Sequence, residues 1–394
     1  MSPIAGPGRP LRVLWLARAV PYPMTMGDRV YTAELARAAA AAGCEVRFVG
    51  FAGEAPPPAE PIANLTWQLV PGAPGHPLPA LLSTMPLAAA RHRTASYRAL
   101  LKNELAREPW DAVVIDQYSM GWVLEETDAW RAPNGRRPVH VYVTHDHEET
   151  LLRQLARRSG ASLPKSVVLR LNALKTKWIE RATAKACDVV TAITSEEAAH
   201  FAANQPGLVP LVLTPGYGGR RLPERTLDAT LPRRILVFGS FKWSAKQANL
   251  RQFLDAAQGP CEASGIEIEI VGSITPEFQA EIAARSPKLR VQGFVEDALP
   301  YFLSSRVAIV AEPIGGGFKM KIPELVFHRL PVATLEACVM GVPAEVKRHF
   351  SVSPDLSEMV RALPALVDDL PRLQSMQQGA YRAAETRFDW SACG

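Results

Sequence analysis

Within AEPIGGGFKMKIPELVFHRLPVAT, residues 311–334, three glycines, two lysines and two glutamates fall where a strand gives way to a helix. Gly315, Gly316 and Gly317 form a turn in which no Cβ blocks close approach to the backbone. The turn aims backbone N–H groups and the next helix N-terminus at one point, which suits an anion such as a diphosphate. Lys319 and Lys321 add mobile positive charge there. Glu324, one turn into the helix, is placed to accept hydrogen bonds from sugar or ribose hydroxyls. The same pattern also fits an ordinary tight strand-to-helix loop with solvated lysines. Glu312 reads equally as a polar group at the strand end or as a solvated rim residue.

The elements that must position these groups are of α/β type. Residues 307–310 are a short apolar run of buried-strand character that Pro313 stops, a helix is expected over 320–329, and the next strand starts at Pro331. Upstream, strands are expected at 234–238, 266–271 and 289–292, with helices at 247–257, 276–284 and from about 299. A stretch rich in Pro, Gly and Arg, 208–225, reads as a linker. Before it, LRVLWL at 11–16, the loop ARAVPYPMTMGD, a helix over 29–42 ending at Gly43 and a strand over 45–51 form the opening of a parallel sheet. Further strands are expected at 65–70, 111–116 (DAVVID), 139–144 (VHVYVT) and 188–193, and residues 77–108 read as mostly helical. A helix opens at Ser195, with Glu196 and Glu197 in its first turn. Two α/β domains of similar size, joined near residue 220, are expected, with a ligand in the cleft between them at the carboxyl ends of the strands.

The chain has 394 residues, enough for two such cores. Its 47% hydrophobic and 21% charged content is that of an ordinary soluble globular protein. A net charge of +5 suits an anionic substrate or an acidic membrane surface and is too small to argue for nucleic acid. The five cysteines are scattered without CxxC spacing, the pattern of reduced thiols, not of a disulfide framework or zinc site. Residues 11–20 are too short an apolar run, interrupted by Arg12 and Arg18, to be a signal peptide. No run approaches a membrane span, so a cytoplasmic location is expected, at most peripheral to the inner membrane face.

Several short motifs, taken in order, resemble retaining glycosyltransferases of family 4. In the second half these are Gly239-Ser240-Phe241-Lys242-Trp243, Gly293-Phe294-Val295, PIGGGFKMKIPE and Leu330-Pro331-Val332-Ala333-Thr334. In the first half, Pro21-Tyr22-Pro23 with Gly27-Asp28-Arg29 looks like the family's first loop, and Thr144-His145-Asp146-His147-Glu148 like its "HNVE" segment. Residues 188–195 look like its "D-x-V-x-A-x-S" strand, and Thr214-Pro215-Gly216 like its linker entry. The resemblance implies the GT-B fold, two Rossmann-like domains facing each other across a cleft. It places an acceptor-binding domain at 1–220, a donor-binding domain at 221–374, and a terminal helix at about 375–394, with Arg387-Phe388-Asp389-Trp390, packing back on the first domain.

It also implies transfer of a sugar from a nucleoside diphosphate sugar, UDP- or GDP-linked, with retention at the anomeric carbon, no metal and no cofactor. Cations and N–H donors must then meet the negative charge that grows on the leaving group. Lys246 lies near the family's diphosphate-binding lysine. Ser240 stands where the family often carries an arginine, and Lys319 and Lys321 are candidates to replace it. Glu324 matches the glutamate that holds the donor ribose, while Gly316 stands where many members have a second glutamate. Gly239, Gly315, Gly317 and Phe318 complete the donor loop, and the backbone of Phe294 and Val295 would meet the base. His145 would hydrogen-bond a sugar hydroxyl near the reacting carbon. Gly27, Asp28 and Arg29 would meet phosphates or acceptor, or simply cap the helix.

Other readings stay open beside this one. They are an epimerase or inverting transferase of the same fold, with Asp28 as the tempting base, and a non-catalytic sugar- or nucleotide-binding protein. Asp146, His147 and Glu148 carry ligand-type groups, but they alternate across a strand and no second ligand group follows, which argues against a metal. The stretch 151–177 interleaves Arg153, Arg157, Arg158, Lys165, Arg170, Lys175 and Lys177 with aliphatic residues. It reads as an amphipathic helix pair with a solvated basic face, or as a seat on anionic lipid that collects a lipid-linked acceptor. The expected acceptors are sugars, lipid-linked sugars or small molecules, as in bacterial polysaccharide synthesis.

Overall fold

The computed structural model describes residues 9–132, 135–150, 152, 163–314 and 317–394. The chain forms two compact units. One comprises residues up to Thr214 together with Trp390–Gly394, and the other runs from Pro215 to Asp389.

The first unit is built on a seven-stranded parallel sheet in the order β3-β2-β1-β4-β5-β6-β7. Its strands are β1 Arg12–Ala19, β2 Glu45–Phe51, β3 Leu65–Leu69, β4 Ala112–Asp116, β5 Val139–Val143, β6 Val189–Ala192 and β7 Leu211–Val212. Strands covered on both faces must be apolar along most of their length. The interior of β1 is buried in this way from Val13 to Ala17, and β4 from Val113 to Asp116. The core gathers Leu14, Leu16, Val49, Phe51, Tyr97, Val113, Ile115 and Trp122. The helix Ser195–Asn204 is opened by Thr194, which accepts from the Glu197 N–H while the Glu197 carboxylate accepts from the Thr194 N–H, a reciprocal cap.

The second unit carries a six-stranded parallel sheet, β10-β9-β8-β11-β12-β13. Its strands are β8 Arg234–Phe238, β9 Glu267–Val271, β10 Leu289–Gly293, β11 Val307–Val310, β12 Val332–Leu335 and β13 Ser351–Ser353. β11 is the fully buried strand that its apolar run predicts. In each sheet the strand order reverses once, between β1 and β4 in the first and between β8 and β11 in the second. Residues just beyond the carboxyl ends of those strand pairs face the crevice such a reversal opens.

Two boundaries differ from the sequence reading. The passage into the second unit comes at Thr214–Pro215 and not near 220, because Tyr217 and Leu222 already donate their N–H groups to Phe388 O and Phe327 O (both 2.8 Å). The terminal segment does not act as one piece either. Helix Leu370–Ala384 packs within the second unit, with Tyr381 edge-on to Phe327 at 5.7 Å. Only the last turn, Trp390–Cys393, joins the first unit, where Trp390 meets Tyr31 at 5.9 Å.

Tyr97 fastens the carboxyl edge of the first sheet. Its ring is fully buried, and its hydroxyl sits between Ala17 O and Val49 O, at 2.9 and 3.0 Å. Tyr97→Phe keeps the ring and removes a donor shared by these carbonyls. We expect a loss of about 1–3 kcal/mol in chemical denaturation with unchanged far-ultraviolet dichroism. An unmoved midpoint would show that the two carbonyls do not depend on this hydroxyl.

Candidate functional site

In the second unit, the end of β11 places Glu312 just past the last strand residue, and the end of β8 places Gly239 beside it in the sheet order. The Glu312 carboxylate is buried, at 6% exposure. One oxygen accepts from Lys321 Nζ at 2.6 Å, and the other pairs with Lys246 Nζ. Lys321 also donates to Phe238 O at 2.5 Å. Burial alone would raise the Glu312 carboxyl, but Lys321, Lys246 and Lys319 hold it far below the usual carboxylate range. Two ammonium groups thus meet one carboxylate within the field of a third, Lys319, leaving an excess of positive charge at the crevice.

The local sequence explains each placement. Lys246 sits in the first turn of the helix Ser244–Ala263, which follows the β8 turn. Gly239 has φ +155°, and a Cβ there would lie 2.5 Å from Lys321 Nζ. The glycine is therefore what lets the lysine cross the strand end. Asn249 clamps the loop after β11, donating to Ile314 O at 2.8 Å and accepting from Ile314 N at 2.9 Å. The Glu312 N–H is turned to Cys338 Sγ at 3.2 Å.

Several expectations change here. Glu312 is no solvated rim residue; it is the group on which the lysines converge. The helix expected over 320–329 is Lys321–Phe327, seven residues. So short a helix aligns few peptide dipoles, which leaves little helix behind the anion site expected at its N-terminus. Gly315 and Gly316 lie outside the described residues. Gly317 takes φ +71°, a left-handed conformation that favours glycine. The Phe318 ring is buried against Phe388 at 5.8 Å, so its side chain faces the core and not a donor. Lys319 is buried at 5% exposure. Ser240 is half-buried, next to the buried Phe241. Phe294, beyond β10, leaves its ring 66% exposed, with the half-buried Val295 after it. Glu324 is half-buried, and burial pushes its carboxyl up to about 7 against the pull of Lys321.

The first unit holds a second polar cluster at its own strand reversal. His145 lies two residues beyond β5, and Asp116 ends β4. His145 Nε2 meets Asp116 Oδ1 at 2.7 Å, and Thr32 Oγ1 lies 3.3 Å from the same nitrogen. Asp116 Oδ2 accepts from Trp15 Nε1 at 2.9 Å. Gln117 Nε2 stands 2.8 Å from His145 Nδ1. A carboxylate facing Nε2 selects the tautomer with the proton on that nitrogen, leaving Nδ1 to accept from the Gln117 amide. Burial would raise the Asp116 carboxyl, but His145, Trp15 and Thr32 hold it below its ordinary value. The imidazole expected to reach a sugar hydroxyl thus has both nitrogens engaged within its own unit. A hydroxyl must replace Gln117 to reach Nδ1.

The loop residues Gly27, Asp28 and Arg29 start the helix Gly27–Ala41. Asp28 is paired with Arg18 at 3.2 Å, and Arg29 donates to Glu54 Oε1 at 2.6 Å and to Pro23 O at 3.4 Å. These contacts favour the helix-starting role over acceptor binding. The ligand group that the sequence lacked after His147 is supplied by tertiary structure. His147, Glu149 and Glu180 bring one ligand-type atom each within 4.8 Å of one another. Arg181 meets Glu149 at 2.8 Å, and Lys177 lies 3.7 Å from it. The Glu180 oxygens accept from the N–H groups of Glu148 and Glu149 at 2.8 and 3.0 Å. Arg181 and Lys177 thus compensate Glu149, whereas burial pushes the Glu180 carboxyl up to about 7 despite its two N–H donors.

Sequence reasoning passed over Asp116, Gln117, Trp15, Thr32 and Asn249. Asp116 alone left a signal, an acid closing an otherwise apolar strand.

Two expectations follow. Glu312→Gln leaves the half-buried Lys246 and Lys321 without their carboxylate, so the melting temperature falls. Inorganic pyrophosphate should then raise it more in the variant than in the wild type, since the anion no longer competes with an internal one; equal shifts would contradict this assignment. The Glu324 carboxyl titrates near 7 when folded and near 4.5 when unfolded. Its favourable contribution is therefore present below pH 4.5 and lost as pH rises through about 7. Between these pH values, Glu324→Gln should lose less melting temperature than the wild type, and parallel curves would remove Glu324 as the source.

Comparison with known proteins adds to this geometry. The family description Glycosyltransferase Family 4 matches residues 27–210, and Glycosyl transferases group 1 matches residues 232–369. No curated protein matches the sequence. Among solved structures, the chain is similar to sucrose-phosphate synthase from Thermosynechococcus elongatus, with 14% identity, TM-score 0.71, and coverage of 97% of this chain and 96% of that one. It is also similar to WaaG, a glycosyltransferase involved in lipopolysaccharide biosynthesis (17% identity, TM-score 0.66, 95% of each chain). A third is Anabaena Alr3699/HepE in complex with UDP and glucose (13% identity, TM-score 0.62, 97% of each chain). At these identities the likeness to solved structures establishes the fold.

Proposed function

The chain belongs to the family 4-like glycosyltransferases of the GT-B fold, and from that membership we propose that it moves a sugar from a nucleoside diphosphate sugar to an acceptor with retention of anomeric configuration. The observation that carries this reading is the convergence of Lys246, Lys319 and Lys321 on Glu312 at the β8–β11 reversal. A diphosphate entering there meets the lysines, and Lys246 and Lys321 exchange their carboxylate for phosphate oxygens. As the glycosidic C–O bond breaks, the growing charge on the leaving oxygen is met by ammonium groups already in place. That role needs no metal or cofactor. The Phe294 ring, exposed beyond β10, is suited to stack on the base, and Glu324 to hold ribose hydroxyls.

Retention is supported by the engagement of Asp28, Asp116 and His145 within the first unit. An inverting transfer needs a general base free to take the acceptor proton. Asp28 is paired with Arg18, and Asp116 is buried beneath His145, Trp15 and Thr32. His145 then acts as a hydrogen-bonding group for the donor sugar, with Asp116 fixing its tautomer. The acceptor class we propose is a sugar, a lipid-linked sugar or a small molecule, in polysaccharide or glycoside synthesis of a bacterium, with UDP- or GDP-sugar as donor.

The test is a thermal-shift screen with UDP, GDP, TDP and ADP and their sugars. One nucleotide should raise the melting temperature. Lys246→Ala and Lys321→Ala should weaken its binding by about 10–100-fold each, the worth of a lost charge-assisted contact. His145→Ala should leave nucleotide binding intact and lower transfer by roughly 10²-fold. Binding that survives both lysine changes would sink the site assignment.

A further inference from the structure

The helix Leu163–Ala186 shows an apolar stripe to solvent. Val167, Leu171, Leu174 and Trp178 are 54%, 52%, 53% and 73% exposed. They are spaced four, three and four residues apart, so the four side chains share one face. Thr176, Glu180 and Thr183, on the opposite face, are buried in the first unit. A second element with exposed leucines lies beside this helix. Lys175 Nζ donates to Leu81 O at 3.3 Å and to Ser83 O at 2.6 Å, and Asn172 Oδ1 accepts from Leu87 N at 2.8 Å. These bonds hold the short helix Pro77–Leu81 beside the long one. Leu78 and, just past that helix, Leu82 are 67% and 91% exposed. The sequence from Leu163 to Ile179 contains no acidic residue and carries Lys165, Arg170, Lys175 and Lys177. Arg170 is exposed, and Lys177 is half-buried.

A contiguous apolar stripe of this kind is rarely left in water without a partner. Its composition, aliphatic residues with one prominent Trp flanked by the exposed Arg170, matches the interfacial zone of an anionic bilayer. There indole rings sit at headgroup depth, and Lys and Arg meet phosphates. No helix among the described residues is long and apolar enough to cross a membrane. We propose that the helix Leu163–Ala186, with Leu78 and Leu82 beside it, docks the first unit on an anionic lipid surface, lying in the plane of the interface. This docking is independent of the transferase reading, because it uses none of the residues assigned to donor binding.

The experiment is co-sedimentation of the full chain with vesicles of phosphatidylcholine alone and of phosphatidylcholine mixed with phosphatidylglycerol. Binding is expected to the mixed vesicles, weakly to the neutral ones, and to fall as salt is raised. Leu171→Glu with Trp178→Glu should reduce partitioning by at least about tenfold, with melting temperature and circular dichroism as in the wild type. Quenching by brominated lipid should be lower in Trp178→Phe than in the wild type, which keeps the test alive should the double variant misfold. Equal partitioning of wild type and a folded double variant would overturn the proposal. So would absence of binding to mixed vesicles, or a concentration-dependent dimer dissolved by the same substitutions, which would assign the stripe to a second copy of the chain.

Discussion

A carboxylate removed from water must be protonated or paired, and Glu312 is paired with more cations than it can neutralise. That imbalance organises the end of the second sheet. Lys321 reaches Glu312 across Gly239, Lys246 reaches it from the first turn of its helix, and Lys319 adds its field from the following loop. Desolvation weakens water's competition for each charge, so the cluster is held in one arrangement and carries net positive charge into the crevice. A site whose cations are already placed has little reorganisation left to do when a diphosphate arrives.

The first unit solves a similar problem, a buried carboxylate, with hydrogen-bond donors in place of ammonium groups. Asp116 ends a buried strand, and its charge is held by the His145 imidazole, the Trp15 indole and the Thr32 hydroxyl. The same contacts fix the ring of His145 and orient Nδ1 toward Gln117. The histidine is therefore a positioned hydrogen-bonding group with a defined tautomer, unsuited to move freely. Both clusters sit where strand order reverses, because only there do neighbouring strand ends diverge enough for side chains from separate loops to meet beyond the sheet.

The exposed apolar stripe of the first unit uses none of the residues of either cluster. On the helix Leu163–Ala186 the buried face carries Thr176, Glu180 and Thr183, while Leu171, Leu174 and Trp178 face outward. With Ala184 in the core and Ile179 packed against it, the helix completes the fold on one face and leaves an apolar stripe exposed on the other.

The sequence by itself determined the α/β class, both parallel sheets and nearly every strand, because buried parallel strands are written as short apolar runs between turn residues. It also placed Lys319, Lys321 and Glu324 in one candidate site, since glycine turns and lysines at a strand end leave a local signal, whereas Lys246 joined them only through the family resemblance. Only the tertiary structure decided which groups those residues meet. Glu312 and Lys246 are separated by 66 positions, and Asp116 and His145 by 29. No local pattern encodes a hydrogen bond across such distances; it exists because parallel strands bring their ends together. The same applies to Asn249, an unremarkable helix residue until the loop at Ile314 folds onto it, and to Glu180, whose meeting with His147 depends on how one long helix packs. Periodicity fixes what each segment is, and sheet order fixes which segments become neighbours.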